Sequence, residues 1–174
     1  TNGNDNIILA TAQGMAICFN ENDVRCMGRD AAGVRGISLN EGDYVVGAEK
    51  MEEGKTLLTL TENGYGKRTA LPEYLRTGPD GEKIPQSRGG KGLKNYNITP
   101  KTGNIAGCRV VGDNDDVMII ENGGVIIRVP AASINVYKRD VQGVIVMRVE
   151  EGNKVVSLER VEQDEEPEAQ ETQE

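Results

Sequence analysis

Short apolar runs separated by glycine-containing turns recur along the whole chain. A run, a tight turn and a second run occur three times: residues 7–11 and 15–19 around Gln13-Gly14, residues 56–61 and 65–69 around Asn63-Gly64, and residues 117–120 and 125–129 around Asn122-Gly123. Asn-Gly between apolar runs favours a type I′ turn, in which both turn residues take a positive φ. The pattern therefore predicts three β-hairpins.

A longer loop and two further apolar runs follow each hairpin. The third runs are Val34 to Leu39, Leu93 to Ile98 and Val144 to Val149, and the fourth runs are Tyr44 to Ala48, Ile105 to Val111 and Val155 to Val161. Four strands at a period of roughly 50 residues are typical of propeller blades. We predict an all-β fold, a β-propeller of about three blades, each a four-stranded antiparallel sheet. No helical periodicity is visible.

The repeat divides the chain into three units and a tail. Residues 1–50, 51–111 and 112–161 are the predicted blade units, and the second is longer because of residues 75–85, whose Gly, Pro and Asp predict an exposed loop. Residues 162–174 contain seven acids, no base and little apolar surface to bury, so we expect a disordered acidic tail that either competes with nucleic acid or only aids solubility.

Each long loop carries an arginine four residues before a glycine. The pairs are Arg29 and Gly33, Arg88 and Gly92, and Arg139 and Gly143. The middle loop, residues 86–92, reads Gln-Ser-Arg-Gly-Gly-Lys-Gly, so two cations lie among small residues whose backbone can approach a phosphate strand closely. It lacks the spacing of a nucleotide-binding P-loop.

The composition argues against an enzyme. The chain has no His, the commonest general base and metal ligand, and its three cysteines, Cys18, Cys26 and Cys108, show no metal-ligand spacing. We expect small buried thiols, as in a reduced cytosolic protein, and no catalytic residue, metal or cofactor. No apolar run approaches the ~20 residues of a membrane span, so no membrane is expected as a partner.

The distribution of charge favours a polyanionic partner despite a net charge of −8. Without the tail, residues 1–161 hold 20 bases and 21 acids, and residues 67–101 alone hold eight bases and three acids. Lys and Arg contacts with the phosphates of duplex DNA supply affinity without reading sequence. Cations on successive blades predict a row of such contacts along which DNA bends.

Several stretches resemble the C-terminal domain of the DNA gyrase A subunit, whose propeller-like fold is called a β-pinwheel. They are Val24 to Arg29, Gly33 to Ile37, Thr61 to Thr69 and Gln142 to Ile145. Residues 86–92 resemble the gyrase A box, Gln-Arg-Arg-Gly-Gly-Lys-Gly, but Ser87 replaces the first arginine, and the segment lies in the middle unit rather than in a first blade.

The resemblance implies a non-catalytic domain that wraps duplex DNA for a bacterial, cytoplasmic, ATP-hydrolysing type IIA topoisomerase that introduces negative supercoils. The implied partners are the catalytic core of the gyrase A polypeptide and the gyrase B polypeptide in a heterotetramer. The alternatives are the corresponding domain of topoisomerase IV and a propeller that binds a partner protein.

The candidate DNA-binding residues follow from the loops and the resemblance. Arg29 and Arg139 each precede an Asp, which leaves a local ion pair as the alternative, and alternation along the strand leaves only one of Lys67 and Arg68 facing solvent. The full set is Arg29, Arg35, Lys67, Arg68, Gln86, Arg88, Gly89, Gly90, Lys91, Gly92, Lys94 and Arg139.

Overall fold

The computed structural model describes residues 1–161, and the predicted acidic tail, residues 162–174, lies outside the described residues. Short strands and three 3₁₀ helices make up the described part, which confirms the all-β prediction. The strands are β1 (Asn6–Thr11), β2 (Met15–Asn20), β3 (Val45–Lys50), β4 (Thr56–Thr61), β5 (Tyr65–Ala70), β6 (Arg76–Thr77), β7 (Lys83–Ile84), β8 (Leu93–Lys94), β9 (Ile105–Val111), β10 (Asp116–Glu121), β11 (Ile126–Pro130), β12 (Val144–Ile145) and β13 (Val155–Val161).

Three antiparallel sheets form around the three predicted hairpins. Their strand orders are β3-β1-β2-β8, β9-β4-β5-β12 and β13-β10-β11. A 3₁₀ helix follows directly on the second strand of each hairpin, at Glu21–Asp23, Leu71–Tyr74 and Ala131–Ser133. Residues 75–85 are not only an exposed loop, because β6 and β7 pair there as a small hairpin.

The outer strand of each four-stranded sheet comes from the following unit. In β8, Lys94 pairs with Met15 of the first hairpin, and in β12, Ile145 pairs with Tyr65 of the second. The expectation that each sheet is built from one contiguous unit is therefore wrong. Apolar periodicity identifies an extended segment but does not specify which sheet edge it joins, and here the edge of the preceding hairpin accepts it.

Close backbone approach explains two of the three loop glycines. A Cβ at Gly92 would lie 2.2 Å from the backbone oxygen of Ala16, and one at Gly143 would lie 2.4 Å from that of Gly66. Gly33 has the same left-handed conformation, with a φ of 80°, yet a Cβ there would meet nothing within 4 Å. The difference arises because residues 34–39 join no sheet within the described part of the chain, contrary to the strand predicted there.

The hairpin turns are three-residue loops rather than the two-residue type I′ turns predicted. Gly14, Gly64 and Gly124 have φ values of 91°, 79° and 92°, whereas no non-glycine residue within residues 1–161 has a positive φ. Each of these glycines donates its N–H to the last residue of the preceding strand. This is a type I turn followed by a left-handed glycine. The third equivalent is therefore Gly124, one residue after Gly123.

Successive sheets pack face to face, so the middle sheet is buried on both faces. Leu57 and Leu58 are adjacent in β4 and both fully buried. Leu57 shares an apolar cluster with Ile8 of the first sheet, and Leu58 shares another with Ile119 of the third. Burial on both faces explains why Leu57 and Leu58 are adjacent apolar residues in β4, where a strand with one open face would alternate.

Two of the three cysteines belong to this interior. Cys18 and Cys108 are buried, and burial raises the pKa of both thiols to about 12. Cys26 is exposed in the irregular segment after the first 3₁₀ helix, so the expectation of a buried thiol is wrong there. Among the described residues, no helix has the length and apolar character needed to cross a membrane.

Candidate nucleic-acid interface

The three long loops lie against one another in series. Ser38 in the first loop donates its N–H to the backbone oxygen of Gly90 in the second, at 2.8 Å. At the equivalent positions, Asn97 in the second loop donates to Val141 in the third, at 3.4 Å. We refer to these three loops, residues 24–39, 86–98 and 135–149, as the cationic stripe.

The cationic stripe concentrates positive charge on a chain that is acidic elsewhere. Its residues include nine Lys or Arg and two Asp, a formal charge of +7, whereas the rest of residues 1–161 holds eleven bases and nineteen acids. Charge of one sign on a contiguous surface raises the local concentration of counter-charged partners. The stripe can therefore hold a polyanion although the whole chain is anionic.

Most of the predicted loop cations face solvent. Arg29, Arg35, Lys91 and Lys94 are exposed, and Lys94 also donates to the side chain of Asn97 at 2.9 Å. Long exposed cations on an ordered backbone can reach phosphate oxygens without reading base edges. Their contact with DNA remains a prediction.

The small residues of the middle loop pack against the first loop. Gly89 donates its N–H to the backbone oxygen of Gly36 at 2.7 Å, and the hydroxyl of Ser38 donates to the backbone oxygen of Gly89 at 2.8 Å. Gln86 donates its N–H to Cys18 and its side-chain amide to Tyr74, both at backbone oxygens. Gly90 is exposed and Gly92 sits against the first sheet. These residues shape the loop.

Arg88 and Arg139 are half-buried and donate to backbone oxygens of the preceding loop. Arg88 donates through Nη1 to Arg35 and through Nε to Asp23, the latter at 3.1 Å. Arg139 donates through Nη1 to the oxygen of Lys94 at 3.0 Å. Arg139 is therefore held by the neighbouring loop, and the described ion pairs do not join it to the Asp that follows it.

Lys67 does not reach solvent, contrary to prediction. Its side chain is fully buried under the third loop, where Nζ donates to the backbone oxygens of Lys138 and Arg139 at 2.6 and 2.5 Å. Nζ also lies 5.3 Å from the ring centroid of Tyr96. Burial lowers the pKa of Lys67 to about 7, and the nearby carboxylate of Asp140 opposes that shift.

Arg68 is also buried, so neither member of the pair faces solvent. Its Nε donates to the backbone oxygen of Ile134 at 2.7 Å, and its Nη1 pairs with Asp113 at 2.5 Å. The segment around Val136 pairs with Arg68 at the edge of β5, and the sheet that contains β5 is buried on both faces. Alternation along a strand predicts one exposed side chain only where one face of the sheet is open to water.

Sequence reasoning missed three exposed cations of the stripe. Arg25, Lys138 and Arg148 lie on the same loops as the predicted residues. Lys138 directly precedes Arg139, at the position equivalent to Ser87 and so to the first arginine of the gyrase A box, and that resemblance could have identified it. Arg25 and Arg148 have no cationic counterpart at equivalent positions in the other loops, so the repeat gives no such signal for them.

One known protein family matches the chain over most of its length. A family profile described as the DNA gyrase C-terminal domain, beta-propeller, matches residues 5–50, 55–84, 81–112 and 115–162. The gyrase A polypeptide of Staphylococcus epidermidis is 42% identical over 163 residues, which cover 92% of this chain and 17% of that protein. The chain thus spans about a sixth of the length of this curated relative.

Two solved structures share the fold over most of the chain. The C-terminal domain of DNA topoisomerase IV has a TM-score of 0.82 and 28% identity, covering 93% of this chain and 48% of that one. The DNA gyrase A C-terminal domain has a TM-score of 0.80 and 26% identity, covering 90% and 50%. The chain therefore shares its architecture with both domains.

Proposed function

The chain belongs to the DNA gyrase C-terminal domain family, and from that membership we propose that it binds duplex DNA through the cationic stripe without reading sequence. The observation that carries the proposal is the separation of charge. Three contiguous loops hold a formal +7, while the rest of residues 1–161 is net acidic. Because the cationic stripe adjoins surface that is net acidic, DNA is expected to bind at the stripe rather than elsewhere on the chain.

Phosphate contact is the chemistry that the stripe offers. Its exposed side chains are long cations, and condensed counterions released from DNA supply the free energy of such contacts. Sequence readout instead uses a helix or ribbon inserted into a groove. The exposed cations of this stripe lie on loops and short edge strands. The binding should therefore depend on salt much more than on sequence.

We further propose that the bound DNA is bent. Loops associated with three successive sheets each present exposed cations, and each additional phosphate contact offsets part of the bending energy. In this proposal the chain is the wrapping part of a cytoplasmic topoisomerase built from gyrase A and gyrase B polypeptides, and DNA cleavage and ATP hydrolysis take place in other parts of that enzyme. The chain itself needs no cofactor for this role.

A salt titration of duplex affinity tests the binding. Fluorescence anisotropy with two short duplexes of unrelated sequence gives log K against log salt for each. A mode that uses four exposed cations gives a slope of about −3.6 for both duplexes. A flat response, or no binding at low salt, would overturn the proposal and favour a protein partner for the stripe.

A separate measurement tests the bending. A duplex of about 150 base pairs is about one persistence length long, so ligase seldom closes it into a circle. The rate of ring closure should rise when the chain binds. Tight binding without faster ring closure would contradict bending and leave binding intact.

A further inference from the structure

Two arginines at equivalent positions make the same bond to equivalent atoms. Arg88 donates to the backbone oxygen of Arg35, and Arg139 donates to that of Lys94. Arg35 and Lys94 each lie two residues after the loop glycine of their unit, and both side chains are exposed. Each arginine thus donates a hydrogen bond to the backbone oxygen of an exposed cationic residue in the preceding loop.

We propose that Arg88 and Arg139 are positioning residues that fix the exposed cations of the preceding loop for phosphate contact. The inference rests on the proposed DNA-binding function and assigns these arginines a role distinct from that of Arg35 and Lys94. The exposed cations contact the phosphates, and the half-buried arginines fix the backbone positions of those cations.

The geometry at Arg88 is particularly constraining. Its Nε and Nη1 donate to the oxygens of Asp23 and Arg35, which stand at the two ends of the irregular segment 24–34. One guanidinium therefore ties both ends of a segment that carries Arg25 and Arg29. No strand pairs with this segment in the described part of the chain, so few other main-chain bonds hold it.

A lysine cannot replace arginine in this role. The guanidinium is planar and presents donors in a fixed fork, whereas an ammonium is a compact charge with no such geometry. Contact with phosphate is less demanding, because lysine binds phosphate well as a point charge. Arg88→Lys therefore keeps the charge for DNA but loses the two-ended grip.

The first arm of the test needs no DNA. Hydrogen exchange of the amides of residues 24–36 should become about tenfold faster in Arg88→Lys, because local opening costs less free energy. Arg109→Lys is the matched control, since Arg109 pairs with Glu49 and Glu159 outside the stripe, and exchange in residues 24–36 should not change. Equal exchange in the parent and Arg88→Lys would overturn the positioning role.

The second arm measures duplex affinity in a double-mutant cycle. Arg88→Lys should weaken binding about fivefold although the net charge is unchanged, and Arg35→Gln should cost less in the Arg88→Lys background than in the parent. Unchanged affinity, or additive losses, would overturn the inference. If the unmutated chain binds no duplex, the proposed function and the DNA part of this inference are refuted. The hydrogen-exchange measurement still decides whether Arg88 holds residues 24–36.

The second pair guards against a folding artefact. Arg139→Lys with Lys94→Gln repeats the cycle at a different interface, and thermal unfolding identifies any variant that has lost the fold. Coupling at both pairs supports the inference, and coupling at neither overturns it.

Discussion

The ammonium group of Lys67 donates a 2.6 Å hydrogen bond to the backbone oxygen of Lys138. A fully buried cation in the second sheet therefore holds the loop that carries an exposed cation of the third unit. Burial costs free energy, and the amine recovers part of it by donating to two carbonyl oxygens.

The first prediction concerns pH and Lys67. The pKa of this amine is about 7 in the folded protein, below its ordinary value of 10.5, so between these values the unfolded chain binds more protons. The free energy of unfolding of the parent should rise with pH across that window relative to Lys67→Met, by at most about 1.4 kcal/mol per pH unit. Below the window the full cost of the buried charge remains.

Urea unfolding at several pH values from about 6 to about 9 measures this difference. Lys91→Met is the control, because it removes an exposed ammonium from the neighbouring loop. Parallel pH profiles for the parent and Lys67→Met would show that the buried amine does not titrate in this range.

The second prediction compares two loop glycines. Gly92→Ala and Gly33→Ala both force alanine into a left-handed conformation, but only the first places a Cβ against a backbone oxygen, that of Ala16, at 2.2 Å. The loss of unfolding free energy should be about 1–3 kcal/mol larger for Gly92→Ala, the usual range for overpacking. Chemical denaturation measures both variants, and equal losses would refute the close approach of β8 to the first sheet.

The third prediction uses the native cysteines as probes. Cys26 is exposed in the cationic stripe, whereas Cys18 and Cys108 are buried with raised thiol pKa values. N-ethylmaleimide should modify Cys26 first, since thiolate fraction and access control the rate. Mass spectrometry after short exposure measures the modified sites. Duplex DNA should slow the reaction of Cys26, and an unchanged rate with DNA bound would place the DNA elsewhere.

The sheets were largely predictable because their signals are local. Apolar residues define β1, β2 and β4, and a glycine near each turn marks the hairpins, including the one that leads into the more polar β5. The glycine positions alone did not separate two-residue from three-residue loops, so the predicted turn type was wrong. The predicted turn glycine of the third hairpin, Gly123, was therefore one residue before the observed one, Gly124. The local sequence pattern also could not predict the partner strand of β8, because Lys94 pairs with Met15, almost eighty residues earlier.

The stripe was predictable in outline but not in its division of roles. Arg88 and Arg139 stand out in sequence because they repeat, yet their acceptors are backbone oxygens that carry no sequence signal. A lysine such as Lys67 in a short strand is normally predicted to face solvent. It is buried here because the loop of the next unit lies over its side chain. Tertiary contact between units therefore decided which cations face solvent.

The salt dependence of duplex binding in two triple variants tests the central claim most directly. Arg35→Gln, Lys94→Gln and Arg148→Gln remove three exposed cations of the stripe, while Lys50→Gln, Lys83→Gln and Lys154→Gln remove three exposed cations outside it. If the stripe binds DNA, the first set should reduce the slope of log K against log salt by about 2.7, or 0.9 per contact, and the second should leave it unchanged. Equal changes in slope for the two sets would contradict the account.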